Sequence, residues 1–273
     1  MMQAIYVEGD SFLHRLNPLS KVMAVLPVMV FVTLATDPWT PLAISTLNVI
    51  VLLVLGRIPP GRLFKILALL ALLMLIFLIV YPLVVRRELV QHTPLLFALG
   101  PIQVYQGGLL FGVAIALRVF CLIALSLPFS LTTDSSDFIR ALVQQWRLPY
   151  RVGYSAMAAL RFVPMLQIEL WVIQAAHRVR GVSDKGGLRA QYDRLKRYTV
   201  PLLATAIRQA ERTALAMDGR AFGAFETRTY FKRMAFARRD VAFVLGFWLA
   251  CGLIVLALAR AGLLGPLVLV QRV

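Results

Sequence analysis

The sequence predicts an all-α, polytopic membrane protein: about five transmembrane helices, with an amphipathic helical domain inserted before the last span. Three observations predict it. Of 273 residues, 60% are apolar and the mean hydropathy is +0.77, well above the roughly 45–50% apolar content of soluble domains. Charge-free apolar runs recur along the chain. The net charge of +16 is concentrated in one stretch between the fourth apolar run and the last.

Residues Met1 to Leu19 carry Glu8, Asp10, His14 and Arg15 before any apolar run. They lack the basic-then-apolar order of a secretory signal, so the first span is expected to be retained. Apolar runs then extend from Val22 to Ala35, Leu42 to Leu55, Ile66 to Val85, Leu109 past Arg118 to Leu131, and Val241 to Ala259. The first two fall short of the roughly 20 residues that cross a hydrocarbon core. Asn17, Pro18 and Lys21 can start the first helix early, and Arg57 can snorkel to the interface. Asp37-Pro38-Trp39 and Pro59-Pro60-Gly61 supply the breaks between the first three spans.

The stretch Asp134 to Asp240 holds 19 Lys/Arg against 9 Asp/Glu. By the positive-inside rule it is cytoplasmic. Arg57, Arg62 and Lys65 in a short turn argue the same way; Arg86 and Arg87 after the third span argue against it. The expected layout is N-terminal spans over 1–132, a cytoplasmic domain over 133–239 and a last span over 240–273, with the N-terminus cytoplasmic.

Three helices are expected in the insert. Asp134 to Trp146 opens on candidate caps with acids in its first turn and stops before Pro149. Tyr150 to Arg180 ends at Gly181, a C′ glycine. Arg189 to Phe222 ends at Gly223, with Pro201 as an expected kink. In this third helix Leu202, Leu203, Ala206, Ile207, Ala210 and Ala214 share one face, and Arg208, Gln209, Glu211 and Arg212 the other. That amphipathic pattern predicts a helix that does not span. Its alanines permit close helix crossing.

Residues for covalent chemistry are sparse. His14, His92 and His177 are far apart, which removes HExxH zinc chemistry, and there is no GxxxxGK[ST] phosphate loop. No Asp or Glu lies inside an expected span, so the usual carboxylates of proton relays are missing. Cys121 and Cys251 sit in apolar runs and read as packing residues. Arg118 is the one charge at depth, and pairing with a backbone carbonyl is its expected role. Two other arginines stand out, in Val179-Arg180-Gly181 and Gly219-Arg220-Ala221, each at a helix C-terminus with a small neighbour. Dipole compensation accounts for a cation at such an end. A slim tip bearing a guanidinium, a planar fork of donors, also suits insertion into a partner's groove.

At these residues the chain resembles the transmembrane T component of energy-coupling factor (ECF) transporters, importers of vitamins and of cobalt or nickel. The likeness runs through Gly9-Asp10-Ser11-Phe12-Leu13-His14-Arg15-Leu16-Asn17-Pro18 with Lys21, then Leu160-Arg161-Phe162-Val163-Pro164. It continues in Ala175-Ala176-His177-Arg178-Val179-Arg180-Gly181 and Ala216-Met217-Asp218-Gly219-Arg220-Ala221-Phe222. The resemblance implies that the insert is a coupling-helix domain and that the chain does no catalysis and binds no cofactor or metal. It implies partners as well: two ABC-type ATPase subunits, which hold the ATP, and a substrate-binding membrane S component. Val179, Arg180, Gly181, Gly219, Arg220 and Ala221 would contact the ATPases, supported by Arg161, Pro164, Met217, Asp218 and Phe222. The family pattern around Arg220 is alanine-arginine-glycine with a preceding glutamate, whereas here Gly219 and Ala221 flank it and Asp218 precedes. Val179 stands where alanine is usual.

Two other readings use the same residues differently. A polytopic membrane enzyme with an interfacial site would draw on His177, Arg178 and Asp184. A nucleic-acid binder would use the basic insert, but its arginines are spread over helices with few exposed aromatics for base stacking. The expected partners therefore include the lipid bilayer and exclude nucleic acid.

Overall fold

The computed structural model describes residues 6–7, 9–84, 94–99, 102–181, 187–225 and 229–265. Glu8, Val85, Arg86, Arg87, His92 and Asp184 lie outside the described residues. Contacts divide the chain into two compact units, Met1–Asp134 with Ala235–Val273, and Ser135–Met234.

Among the described residues the first unit has five helices. Asn17 caps α1 (Pro18–Leu34), its Oδ1 accepting from the Leu19 N–H at 3.0 Å, with Pro18 in the first turn. Proline costs nothing there, because that N–H has no intrahelical partner. Just ahead of α2 (Trp39–Val54), Asp37 Oδ2 accepts from the Thr40 N–H in its first turn at 2.7 Å. After α3 (Pro60–Val84) come α4 (Gln106–Thr132) and, beyond the insert, α8 (Arg238–Arg260). α4 packs on α1, α2 and α3, and α8 packs on α1 and α2. Gly107, Gly108, Gly112, Ala114 and Ala116 are buried along α4, the small side chains that let apolar helices approach in a membrane.

The core joins four helices, through Val25, Val28 and Val32 of α1, Ile44 of α2, Cys121 and Leu125 of α4, and Phe247 and Cys251 of α8. Both cysteines are free and buried, as packing residues should be. Asn48 Nδ2 donates to the Ala124 carbonyl at 2.7 Å and Trp248 Nε1 to the Ala24 carbonyl at 3.1 Å. Arg118 donates to the Ala35 carbonyl just past α1, the carbonyl pairing expected for it.

The chain is a multi-pass membrane protein. By length and composition α3, α4 and α8 can each cross a bilayer, while α1 and α2, at 17 and 16 residues, are shorter apolar helices. The second helix of the insert also meets that standard, which the amphipathic reading of the insert did not anticipate. Its apolar residues are distributed all round rather than on one face. An antiparallel hairpin of β1 (Leu95–Leu99) and β2 (Ile102–Tyr105) is a further difference from the all-helical expectation, with a register shift between Leu95 and Phe97.

The second unit consists of α5 (Ser135–Gln145), α6 (Tyr150–Val179) and α7 (Leu188–Asp218). α6 ends one residue before its expected limit, and α7 ends at Asp218 rather than Phe222. It runs through Pro201 without a break. α5 and α6 pack at Gly153, where an added Cβ would lie 2.2 Å from Val143 Cγ2. Gly153→Ala is therefore expected to destabilise the insert by about 1–3 kcal/mol through overpacking, read as a lower melting temperature without loss of helix content.

Candidate functional site

Two features of the second unit involve the residues singled out in the sequence. The first is the pair of helix tips. Gly181 takes φ +81°, the left-handed conformation that ends a helix with little strain only in glycine, and its N–H donates to the Arg178 carbonyl at 3.0 Å. Val179 is 90% exposed, and Arg180 and Gly181 are exposed with it. At the other tip the chain leaves α7 in tight turns: Arg220 N–H donates to the Met217 carbonyl, Ala221 N–H to Asp218 and Phe222 N–H to Met217, all near 3.0 Å. Ala221 carries φ +53°, uncommon for a residue with a Cβ. Asp218, Gly219, Arg220 and Ala221 are exposed. Neither Arg180 nor Arg220 has a carboxylate partner among the described residues.

The second feature is a groove of about 490 Å³ in the same unit, lined by Arg140, Arg161, Met217, Arg220 and Phe222 among others. It brings four of the expected residues together: Arg161, Met217, Arg220 and Phe222. It does not include the α6 tip or Pro164, which is exposed within α6. Phe222 is seated edge-on against Tyr150 and Tyr154, with ring centroids 5.8 and 6.4 Å away. The next residues are held by Arg151, whose Nη2 donates to the Gly223 carbonyl at 2.6 Å, and by the Tyr150 hydroxyl, which donates to the Phe225 carbonyl at 2.6 Å. The turn bearing Arg220 is thus anchored on its far side while the arginine stays exposed.

Of the residues proposed for an interfacial enzyme, Asp184 lies outside the described residues. His177 packs its ring edge-on against Tyr198 at 5.3 Å. Among the described residues no group of three His, Cys, Asp or Glu could hold a metal.

One constellation was not foreseen from the sequence, although its first members belong to the quoted N-terminal motif. Lys21 is 1% exposed. Its ammonium donates to the Thr132 carbonyl at 2.9 Å, Thr132 Oγ1 at 2.8 Å and Thr133 Oγ1 at 2.9 Å, so all three protons are used. Asp240, also 1% exposed, accepts from the Asn17 N–H at 2.8 Å and from the Ala237 N–H at 2.7 Å. Just before Asn17, His14 holds the chain in a hook. Its Nε2 donates to the Val7 carbonyl at 2.8 Å, which can only accept, so its Nδ1 accepts from the Ser11 hydroxyl at 2.7 Å. Asp10 and Arg15 form an exposed pair at 2.5–2.6 Å, and that guanidinium holds the Asp10 carboxyl below the usual carboxylate range.

The covalent layout gives these contacts their meaning. The chain leaves the first unit at Asp134 and returns at Ala235. Thr132 and Thr133 stand directly before the exit, and Ala235 to Asp240 directly after the return. Asn17 and Lys21 grip both. A lysine just outside an apolar run, four residues after a helix N-cap, is the one sequence signal that could have marked this clasp.

Comparison with known proteins agrees with the motifs. The family model described as "Cobalt transport protein" (CbiQ) matches residues 9–231. The chain is 30% identical over 257 residues to the energy-coupling factor transporter transmembrane protein EcfT of Streptococcus thermophilus, covering 91% of this chain and 95% of the relative. It is 28% identical over 247 residues to EcfT of Bacillus subtilis, covering 88% and 91%, and 27% identical over 264 residues to EcfT of Listeria innocua, covering 93% and 97%.

Proposed function

Because the chain belongs to the CbiQ cobalt transport protein family, which makes it a membrane component of ECF-type transport, we propose that it is the energy-coupling T subunit of such an importer. Two ABC-type ATPase subunits dock on the exposed tips at Arg180 and Arg220. A separate substrate-binding S component captures a vitamin or a transition metal, and this chain passes the ATPases' movement to it. The N-terminus and the insert face the cytoplasm. ATP is bound by the ATPases, and this chain makes and breaks no covalent bond.

The observation that carries the reading is the state of the two tips: each ends in a left-handed turn, and each presents a guanidinium without a carboxylate partner among the described residues. A dipole-compensating arginine gains about 0.3–1 kcal/mol at such an end. That gain needs no small neighbours and no anchored turn, whereas insertion into a groove needs both.

Reconstitution of the chain into vesicles tests it. Alone it is expected to hydrolyse no ATP, and with co-purified ATPases and a small membrane protein it should support ATP-driven accumulation of cargo. Turnover of a lipid or peptide substrate by the chain alone would sink the reading in favour of the membrane enzyme.

A further inference from the structure

The groove in the second unit carries more cationic charge than its own residues neutralise. Arg140 Nη1 donates to Asp137 at 2.7 Å, but the same carboxylate accepts from Lys232 at 2.7 and 2.9 Å, so one anion serves two cations. Arg161 and Arg220 have no carboxylate partner among the described residues. Among the described residues no Asp or Glu lines the groove. The rest of the lining is chiefly apolar, with Met157, Phe162 and Met165 along α6. Apolar side chains continue outward on that helix, where Leu160, Val163 and Ile168 are exposed.

We propose that this groove binds the phosphate headgroup of an anionic phospholipid, with Arg140 and Arg161 on the phosphate and the methionines and Phe162 against its glycerol and upper acyl carbons. The chemistry fits at each point. Guanidinium forks match phosphate oxygens bidentately. Groove volume is in the range of sites for ligands much larger than a phosphate ion. An apolar lining beside the charges suits an amphiphile, and a free anion would leave it wet. As an integral membrane protein, the chain meets such lipids at high local concentration. The proposal stands whether or not the helix tips dock an ATPase.

The test uses the full chain in mild detergent, incubated with equal amounts of phosphatidylglycerol and phosphatidylcholine, with retained lipid counted by native mass spectrometry. The wild-type chain should retain phosphatidylglycerol in clear preference. Arg161→Gln should reduce that preference roughly five- to tenfold, the loss expected for one cation near an anionic headgroup. Gln209→Glu keeps every arginine and sets a carboxylate in the same lining, so it should lower retention too, at unchanged helix content. Millimolar inorganic phosphate should not displace the lipid. Equal retention of the two lipids, or a preference untouched by either variant, would overturn the proposal. Displacement by phosphate would reassign the groove to a free anion. Absence of lipid, with an acidic polypeptide co-purifying and lost in the same variants, would reassign it to a protein partner.

Discussion

A chain carrying Arg180→Ala and Arg220→Ala together is expected to insert into the membrane as the wild type does and to come away from its ATPase subunits on purification. Hydrogen bonds to charged groups contribute about 1.5–3 kcal/mol each. Each single variant should therefore retain roughly tenfold less ATPase, and the double variant roughly a hundredfold less. Lysine at either position should restore only part of the loss, because an ammonium is a point charge and cannot make the paired bonds of a planar fork. Insertion should be unaffected because both side chains are exposed and neither belongs to the packed core. Quantitative immunoblotting of ATPase against the tagged chain reads the ratio directly. Undiminished retention in the double variant would remove the tips from the interface.

Lys21→Met is the second substitution with a large expected effect, and it acts by a different route. The new side chain fills similar space but leaves the Thr132 carbonyl and the two threonine hydroxyls without their shared donor. Leaving a buried polar group without its hydrogen-bond partner costs about 1–3 kcal/mol. The variant should melt well below the wild type in the same detergent, and what remains folded should couple poorly, since the chain crossing at Thr132 and Thr133 loses its tether. Arg15→Ala supplies the contrast. Its pair with Asp10 is mostly exposed, with 60% and 73% of the side chains accessible, and exposed pairs contribute little, so its melting curve should overlay that of the wild type. Overlap of the Lys21→Met curve as well would show that the clasp is dispensable.

Local features were legible in the sequence, and contacts over long sequence separation were not. Apolar runs located α1 to α4 and α8, because burial in a bilayer is written as composition. Caps and breakers located the insert's helices, with Gly181 and Pro149 standing where helices must stop. The hairpin was missed although Gly100-Pro101 separates two short apolar runs: such runs cannot be told from pieces of a helix by periodicity. α7 stops four residues short of Phe222 because the aromatic faces of Tyr150 and Tyr154 hold that ring in a turn. The Lys21 clasp was hidden for a similar reason. Its partners Thr132 and Thr133 are 111 and 112 residues away, and no local pattern encodes that meeting. Nor could spacing show that Arg161 and Arg220, on different helices, line one groove.

The central claim is that this chain works as a joint between other proteins. The measurement closest to it is the identity of the polypeptides that remain with the tagged chain after extraction of native membranes in mild detergent. The claim predicts two ABC-type ATPase subunits and one small membrane protein, retained together. A chain that comes out alone, or with nucleic acid in place of ATPases, would contradict it.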